Sequence, residues 1–275
     1  MLFIFSPFLG DMGTHKISIR PACYGPYSMV AYEHVQQLGV KYLEINVPDN
    51  IELLRDMAQD EDLDFSIGSF IFPIETDDPK IEQKFREALE TCSEFEYEYI
   101  FSSTKTKGKF LKRRKKGYKV LRKLGDIAEE YGTFISMETH PPFCKGADEM
   151  LETMENVDHP HVRVNFDTAN IYYYNKIEEG EGIDELKRVI DYIGSLHIKQ
   201  TNGKYKTWHF PNLGADTGIV DFKEVFSIMD DHGFDGIYTL EMEGTKEKPL
   251  KSLNMKEAKK EVEASIQHLK NIGVF

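Results

Sequence analysis

The 275-residue sequence lacks several features that each mark a class of protein. Its three cysteines, Cys23, Cys92 and Cys144, lie far apart without CxxC spacing, which argues against a disulfide framework and a thiolate zinc site. No apolar run approaches the roughly 18 residues of a membrane span. The apolar opening has no preceding basic residues and no cleavage site, so residues 1–15 are expected to be an extension ahead of the first strand. We therefore expect a cytoplasmic protein that contacts no membrane.

Positive charge is also scarce, with 34 Lys and Arg against 47 Asp and Glu and a net charge of −13. This balance repels phosphate backbones and argues against a nucleic-acid partner. Residues 105–123 are an exception, because they contain eleven Lys or Arg and no acid. We interpret this run as a solvated helix start or as a surface for a phosphate, a carboxylate or an acidic partner, including a second subunit of a homo-oligomer.

Short β-rich runs alternate with longer amphipathic stretches, and no linker interrupts them. Eight strands are predicted, at 16–21, 41–46, 63–68, 97–102, 133–139, 162–167, 194–199 and 236–242. Apolar residues three and four apart predict helices, for instance at 26–39, 79–95, 119–132 and 221–234. Gly39, Gly132 and Gly233 lie where helices should end.

This repetition favours class α/β and a single (β/α)8 TIM barrel formed by residues 1–275 as one domain. The alternative is a doubly wound open sheet. Such a sheet normally has a Gly-rich turn after its first strand, and the segment RPACYGPYS is not GxGxxG. The barrel is therefore the expected fold.

The last four predicted strands carry polar residues in pairs spaced by two. Alternate residues share a face of a strand, and each pair lies toward the C-terminal end, where the active sites of such barrels assemble. The pairs are Glu138 with His140, Asn165 with Asp167, His197 with Lys199, and Glu241 with Glu243.

One residue from each strand gives a ring of three carboxylates and one imidazole, namely Glu138, Asp167, His197 and Glu241. Acids that converge without a cation repel one another, and a divalent metal removes that repulsion. Oxygen and nitrogen ligands without thiolates suit Mn²⁺, Mg²⁺, Co²⁺ or Zn²⁺, with Mn²⁺ as the first expectation. For any one of these residues alone, a hydrogen-bonded structural role is the alternative.

The same segments resemble the xylose isomerase-like TIM barrels, which include sugar-phosphate isomerases and epimerases, inosose-processing enzymes and hydroxypyruvate isomerase. SMETH, VNFDTANIY, SLHIKQ, NLGADTGIVDF and YTLEMEG are similar to motifs of that family and span nearly the whole chain. The resemblance implies that Glu138, Asp167, His197 and Glu241 bind the metal. It also implies that Glu138 and Glu241 act as acid and base.

The sequence departs from the family pattern at three places. Gln200 replaces the usual aspartate, Asn170 stands where some epimerases carry a histidine, and the turn at 212–221 has an extra residue. The first two departures concern the substrate hydroxyl contacts.

Further residues are candidates for proton transfer or substrate binding. We interpret His140 and Lys199 as proton carriers or as structural hydrogen-bonding residues. Glu44, Trp208 and His209 are expected to line the sugar pocket.

A metal that chelates a carbonyl and a neighbouring hydroxyl stabilises the enediolate formed when a carboxylate removes a proton. If the proton returns to the adjacent carbon, a small carbohydrate such as a ketose or inosose is isomerised, and if it returns on the opposite face, the carbohydrate is epimerised. If a β-hydroxyl leaves instead, the carbohydrate is dehydrated. The isomerase or epimerase is the first prediction. The alternatives are a dehydratase of inosose or dehydroshikimate type, a nuclease, a barrel that only binds sugar, and a subunit of a larger sugar-processing enzyme. The nuclease is disfavoured because the early strands offer Glu44 and Gly68 where that branch has histidines.

Overall fold

The computed structural model describes residues 15–107 and 111–275, and its centre is a closed barrel of eight parallel strands. The strands are β1 (Lys16–Ile19), β2 (Tyr42–Asn46), β3 (Ser66–Ile71), β4 (Tyr99–Ser102), β5 (Ile135–Glu138), β6 (Val162–Asp167), β7 (Ile193–Ile198) and β8 (Ile237–Leu240). They pair in chain order, and β8 closes the barrel against β1. The prediction of a (β/α)8 barrel is confirmed.

Helices surround the barrel in the described parts of the chain. They are α1 (Ala31–Gln37), α2 (Ile51–Gln59), α3 (Ile81–Cys92), α4 (Leu111–Glu130), α5 (Ala147–Val157), α6 (Asn170–Tyr174), α7 (Glu181–Val189), α8 (Phe222–Asp231) and α9 (Met255–Asn271). The 3-10 helices are Pro21–Val30, Ile190–Tyr192 and Leu250–Ser252. His209–Phe210 and Gly244–Thr245, in the loops after β7 and β8, form a small antiparallel sheet.

The predicted N-terminal extension at residues 1–15 lies outside the described residues except for His15. The ring of His15 binds the C-terminal end of the chain, since Nδ1 donates to the carbonyl oxygen of Val274 at 2.7 Å. Within the described ranges, every helix is too short or too polar to cross a membrane.

The third strand is the one whose predicted position is wrong, because it spans Ser66–Ile71 rather than 63–68. Pairing fixes its register, with Ser69 opposite Glu44 of β2. Apolar and polar residues alternate from Leu63 to Ser66, which is typical of a strand. In the structure, however, the half-buried side chain of Phe65 packs on the outside of the core. The strand therefore begins later and continues through the apolar run that follows.

Two helices also differ from the prediction. The stretch 26–39 is α-helical only over α1, because Gly25 at φ 58° and Pro26 interrupt the turns before it. The fourth helix begins at Leu111 rather than at 119, since lysine and arginine are good helix formers. The glycines predicted to end helices are confirmed by positive φ values of 83°, 68° and 78° at Gly39, Gly132 and Gly233.

The basic run at 105–123 lies mainly in the first half of α4. Two residues of the run form ion pairs with neighbouring helices. Arg114 pairs with Glu152 of α5 at 2.6 Å, and Lys123 pairs with Glu82 of α3 at 3.0 Å. These contacts give the run a structural role in the packing of α3, α4 and α5.

Gly117 lies inside α4, where helix propensity alone favours alanine by about 1 kcal/mol. A Cβ at this position would lie 2.5 Å from the ring of the fully buried Phe143. Overpacking of this kind costs about 1–3 kcal/mol, so Gly117→Ala is expected to lower the free energy of unfolding. Urea denaturation measures the change, with the exposed neighbour substitution Lys116→Ala as control. A higher midpoint for Gly117→Ala would mean that Phe143 moves aside at no cost.

Candidate active site

The predicted polar pairs lie at one end of the barrel. Asp167 ends β6 and is directly opposite His197 of β7 in the strand register. Glu138 ends β5, and Glu241 follows the last residue of β8. Because the strands are parallel, all four residues lie at the C-terminal mouth, where barrel enzymes carry their active sites.

Three of the four predicted metal ligands form one buried cluster. Asp167, His197 and Glu241 each offer a ligand atom, and these atoms lie within 4.8 Å of one another. We call these three residues the triad. Glu138 is not part of it; its Oε1 accepts a hydrogen bond from Nδ2 of Asn170 at 3.2 Å. The structure therefore brings three of the predicted ligands together and places the fourth, the carboxyl group of Glu138, next to them.

Asp167 has one satisfied and one unsatisfied oxygen. Its Oδ1 accepts hydrogen bonds from the backbone N–H groups of Ala169 and Asn170, each at 2.8 Å. Its Oδ2 is buried without a hydrogen-bond donor among the described residues, and the nearest ammonium, that of Lys199, is 3.7 Å away. A buried acceptor of this kind is costly unless a cation meets it. Its position inside the triad suits a metal ligand.

The imidazole of His197 lies between two carboxylates. Its Nε2 is 3.0 Å from Oε1 of Glu44, and its Nδ1 is 3.2 Å from Oε2 of Glu241. Burial opposes the charged form, but Glu44 and Glu241 outweigh burial and raise the pKa of His197 to about 10. Glu44, predicted to line the sugar pocket, is fully buried and also accepts a hydrogen bond from Ser69 at 2.8 Å. Glu44 orients the ring as carboxylates orient metal-binding histidines, so that Nδ1 faces Glu241.

Glu138 and Glu241 lie in environments that separate their pKa values. Burial and then the charge of Glu241 raise the pKa of Glu138 to about 8. Burial acts in the same direction on Glu241, but Arg20 and Lys199 outweigh it and hold the pKa of Glu241 well below its ordinary value. At neutral pH Glu138 is therefore mostly protonated and Glu241 is ionised. Carboxyl groups separated in this way commonly divide the acid and base roles of a reaction.

Lys199 is a buried cation inside the cluster. Its Nζ lies 3.1 Å from Oε2 of Glu241 and 2.6 Å from Oε2 of Glu243, and the ring of Phe210 covers it at 4.4 Å. Burial opposes its charge, but Glu241 and Asp167 outweigh burial and raise the pKa of Lys199 well above its ordinary value. This arrangement favours a structural countercharge over a proton carrier.

Sequence reasoning missed Arg20, which follows β1. Its Nη1 donates to Oε1 of Glu241, its Nε lies 3.4 Å from Oε1 of Glu44, and its guanidinium lies 5.3 Å from the ring centroid of Phe101. The signal was present in the sequence. Arg20 comes two residues after the buried Ser18, so the period of two that selected the polar pairs of the last four strands selects Arg20 as well.

His140 lies just beyond β5. Its Nδ1 donates to the carbonyl oxygen of Pro141, and its ring meets that of Tyr174 edge to face at 5.0 Å. Because a carbonyl only accepts, Nδ1 carries the proton and Nε2 is left as an acceptor. Burial lowers the pKa of His140, so the ring is uncharged at neutral pH.

Trp208 and His209 lie in the outer part of the mouth. Trp208 is 40% exposed and packs against Phe210 with ring centroids 5.3 Å apart. The Nε2 of His209 lies 2.9 Å from Oγ1 of Thr217. Within the described part of the chain, neither residue has a hydrogen bond to the triad. Their position suits an outer wall of a pocket.

Gln200, which departs from the family pattern, stabilises the turn at 212–221 by hydrogen bonds. Its Nε2 donates to the carbonyl oxygens of Leu213 and Val220 at 3.2 and 3.3 Å, and its Oε1 accepts from the N–H of Val220 at 2.9 Å. A Cβ at Gly218 would lie 2.2 Å from the Gln200 side chain, so glycine makes room for it. The glutamine therefore positions the loop after β7.

The charges and donor atoms of the site fit a divalent cation. Arg20, Lys199 and the protonated His197 supply three positive charges, and Glu138 mostly holds a proton at neutral pH. These charges face four carboxylates, which are those of Glu44, Asp167, Glu241 and Glu243. The excess negative charge, the unsatisfied oxygen of Asp167 and the mixed oxygen and nitrogen donors suit Mn²⁺, Mg²⁺, Co²⁺ or Zn²⁺.

Comparisons with known proteins agree with this architecture. The model of the xylose isomerase-like TIM barrel family matches residues 32–272. A search of the curated proteins found no match.

Several solved structures share the fold. D-psicose 3-epimerase with D-tagatose, from Clostridium cellulolyticum H10, has a TM-score of 0.70 and 19% identity over 94% of this chain and 99% of that one. The probable 3-DHS dehydratase AsbF of Bacillus anthracis has a TM-score of 0.71 and 16% identity over 93% of this chain and 99% of that one. The IOLI protein with a binding zinc atom has a TM-score of 0.70 and 21% identity over 94% of this chain and 97% of that one. At these identities the likeness establishes the fold alone.

Proposed function

The chain belongs to the xylose isomerase-like TIM barrel family, and from this premise we propose that it is a divalent-metal-dependent isomerase or epimerase of a small carbohydrate. The triad of Asp167, His197 and Glu241 carries the proposal, because its atoms converge while Oδ2 of Asp167 has no donor among the described residues. A bound divalent cation, with Mn²⁺ as the first expectation, supplies stabilisation of the charge that develops on an enediolate. We propose further that residues 1–275 act as one cytoplasmic domain without a nucleic-acid partner.

The triad would hold the cation, with Glu138 as a fourth ligand. Glu241 is ionised and is assigned the removal of a proton from the carbon next to the carbonyl. Glu138 is assigned the return of a proton from the other side of the substrate. Its carboxyl is mostly protonated at neutral pH in the metal-free protein, and a cation bound next to it would favour the ionised form. Arg20 and Lys199 keep Glu241 ionised.

A dehydratase is the second candidate, and the raised pKa of Glu138 is the observation that favours it. A protonated carboxyl next to the site of enediolate formation can give its proton to a departing β-hydroxyl, which leaves as water. The similar solved structure of a probable dehydratase accords with this chemistry. A new enone absorbance in the product separates this reaction from isomerisation.

Deuterium incorporation tests the proposal. The purified protein is analysed for metal and then incubated in D₂O with ketoses, inososes and hydroxypyruvate. We expect deuterium to enter the carbon next to the carbonyl of one of these compounds, as measured by NMR. Chelation should stop the exchange, and added Mn²⁺ should restore it. Exchange that survives complete removal of the metal would contradict the proposed function.

A further inference from the structure

A groove of about 580 Å³ opens from the acidic cluster toward the surface. It lies between the 3-10 helix Pro21–Val30 and α2, over the end of β2. Arg20 and Glu44 line its inner end, and both also belong to the cluster around the triad. The groove therefore reaches two residues, Arg20 and Glu44, that contact members of the triad.

The two walls of the outer part of the groove are mainly apolar, and Asp49 and Asn50 at the start of α2 line its edge. On α2, Leu53 and Met57 are one turn apart and face the groove, while Leu54 enters the core. Met29 and Tyr32 form the opposite wall. Two of these side chains are unusually exposed for their type, since Met29 is 58% and Leu53 is 51% accessible.

The polarity of the groove changes along its length. Its inner end carries a guanidinium and a carboxylate, and its outer end carries the side chains of Met29, Leu53 and Met57. The volume falls within the range of about 300–1,000 Å³ typical of pockets that take drug-sized ligands. A free sugar has a hydroxyl or a carbonyl oxygen on every carbon and would leave these apolar walls in contact with water.

We infer that the groove holds an apolar substituent on the end of the substrate that does not react. The substrate class is then a polyhydroxy carbonyl compound with an aromatic or alkyl group attached away from its carbonyl. This inference rests on the proposed function for the position of the reacting end. Burial of the substituent against Met29 and Leu53 supplies affinity by the hydrophobic effect.

Ligand-observed NMR on the full chain with diamagnetic Mg²⁺ tests the inference, using D-fructose and 6-O-benzyl-D-fructose as probes. We expect the benzyl compound to bind about tenfold more tightly, with the strongest saturation transfer to its phenyl protons. The double substitution Leu53→Gln with Met29→Gln should remove this difference and leave the affinity for D-fructose unchanged. Both side chains are exposed, so the folded structure should tolerate the change. Met255→Gln, at an exposed methionine that does not line the groove, is the matched control.

The outcomes separate the groove from the chemistry. If the benzyl group adds no affinity while deuterium enters a ketose, the inference fails and the proposed function stands. If the benzyl group binds in the groove while no sugar exchanges deuterium, the groove assignment stands and the proposed function fails. Sedimentation that shows a dimer abolished by the double substitution would overturn the inference, because the groove would then bind a second copy of the chain.

Discussion

Glu138→Gln is expected to reduce the rate of deuterium exchange by about 10² to 10⁴-fold while leaving most of the bound metal in place, since the three ligands of the triad remain. The reason is that Glu138 lies outside the triad, and its carboxyl, with a pKa of about 8, is the group that holds a proton at neutral pH. Glutamine keeps the shape and the hydrogen bond from Asn170 but cannot exchange that proton.

Glu241→Gln should reduce the rate of deuterium exchange more than Glu138→Gln does, because Glu241 is a member of the triad and is also the ionised carboxylate that removes the proton. We expect it to lower the metal content as well as the exchange rate. Metal analysis, NMR exchange and circular dichroism of the two variants measure these effects, with Glu155→Gln on the exposed face of α5 as control. Near-normal exchange in either variant would reject the role assigned to that residue, and metal loss in Glu138→Gln would place Glu138 among the essential ligands.

The period of two along a strand was sufficient to predict much of this site. Asp167, His197 and Glu241 lie on different strands, yet each follows from the same rule, because parallel strands in a barrel present alternate residues to one interior. The same rule applied to β1 selects Arg20. The missing step was to apply it to the first strand, since the polar pairs that indicated a metal site all lie on the last four.

Other features could not be read from the sequence, since they depend on contacts between distant segments. The register of β3 is set by its pairing with β2, which places Ser69 beside Glu44. The role of Gln200 depends on a turn that follows it in the chain and folds back over its side chain. The separation of the pKa values of Glu138 and Glu241 depends on where Arg20 lies in three dimensions.

Lys199→Met is expected to destabilise the metal-free protein by about 3–5 kcal/mol, because it removes one partner of a buried network of charges. That loss corresponds to roughly 10 °C in melting temperature for a chain of this size. The ammonium is 2% exposed and lies within 4 Å of three carboxylates, those of Asp167, Glu241 and Glu243. Methionine fills a similar volume but removes the countercharge that these carboxylates share, so that Glu241 keeps only Arg20 and His197 as partners.

The same substitution should cost less when Mn²⁺ is present, because a divalent cation at the triad supplies positive charge to the same oxygens. The cost should also depend on pH. Lys199 lowers the pKa of Glu241 and that of Asp167, which is about 6 with the ammonium in place, so its removal raises both values in the folded state. The penalty therefore grows as the pH rises from 6 and ionises Asp167, and it shrinks as the pH falls and protonates Asp167. Thermal unfolding at pH 6 and pH 8.5, with and without Mn²⁺, measures both effects, and the exposed substitution Lys204→Met is the control. A loss of stability that is equal with and without Mn²⁺ would mean that no cation binds where Lys199 acts, and it would remove the electrostatic basis for the metal site.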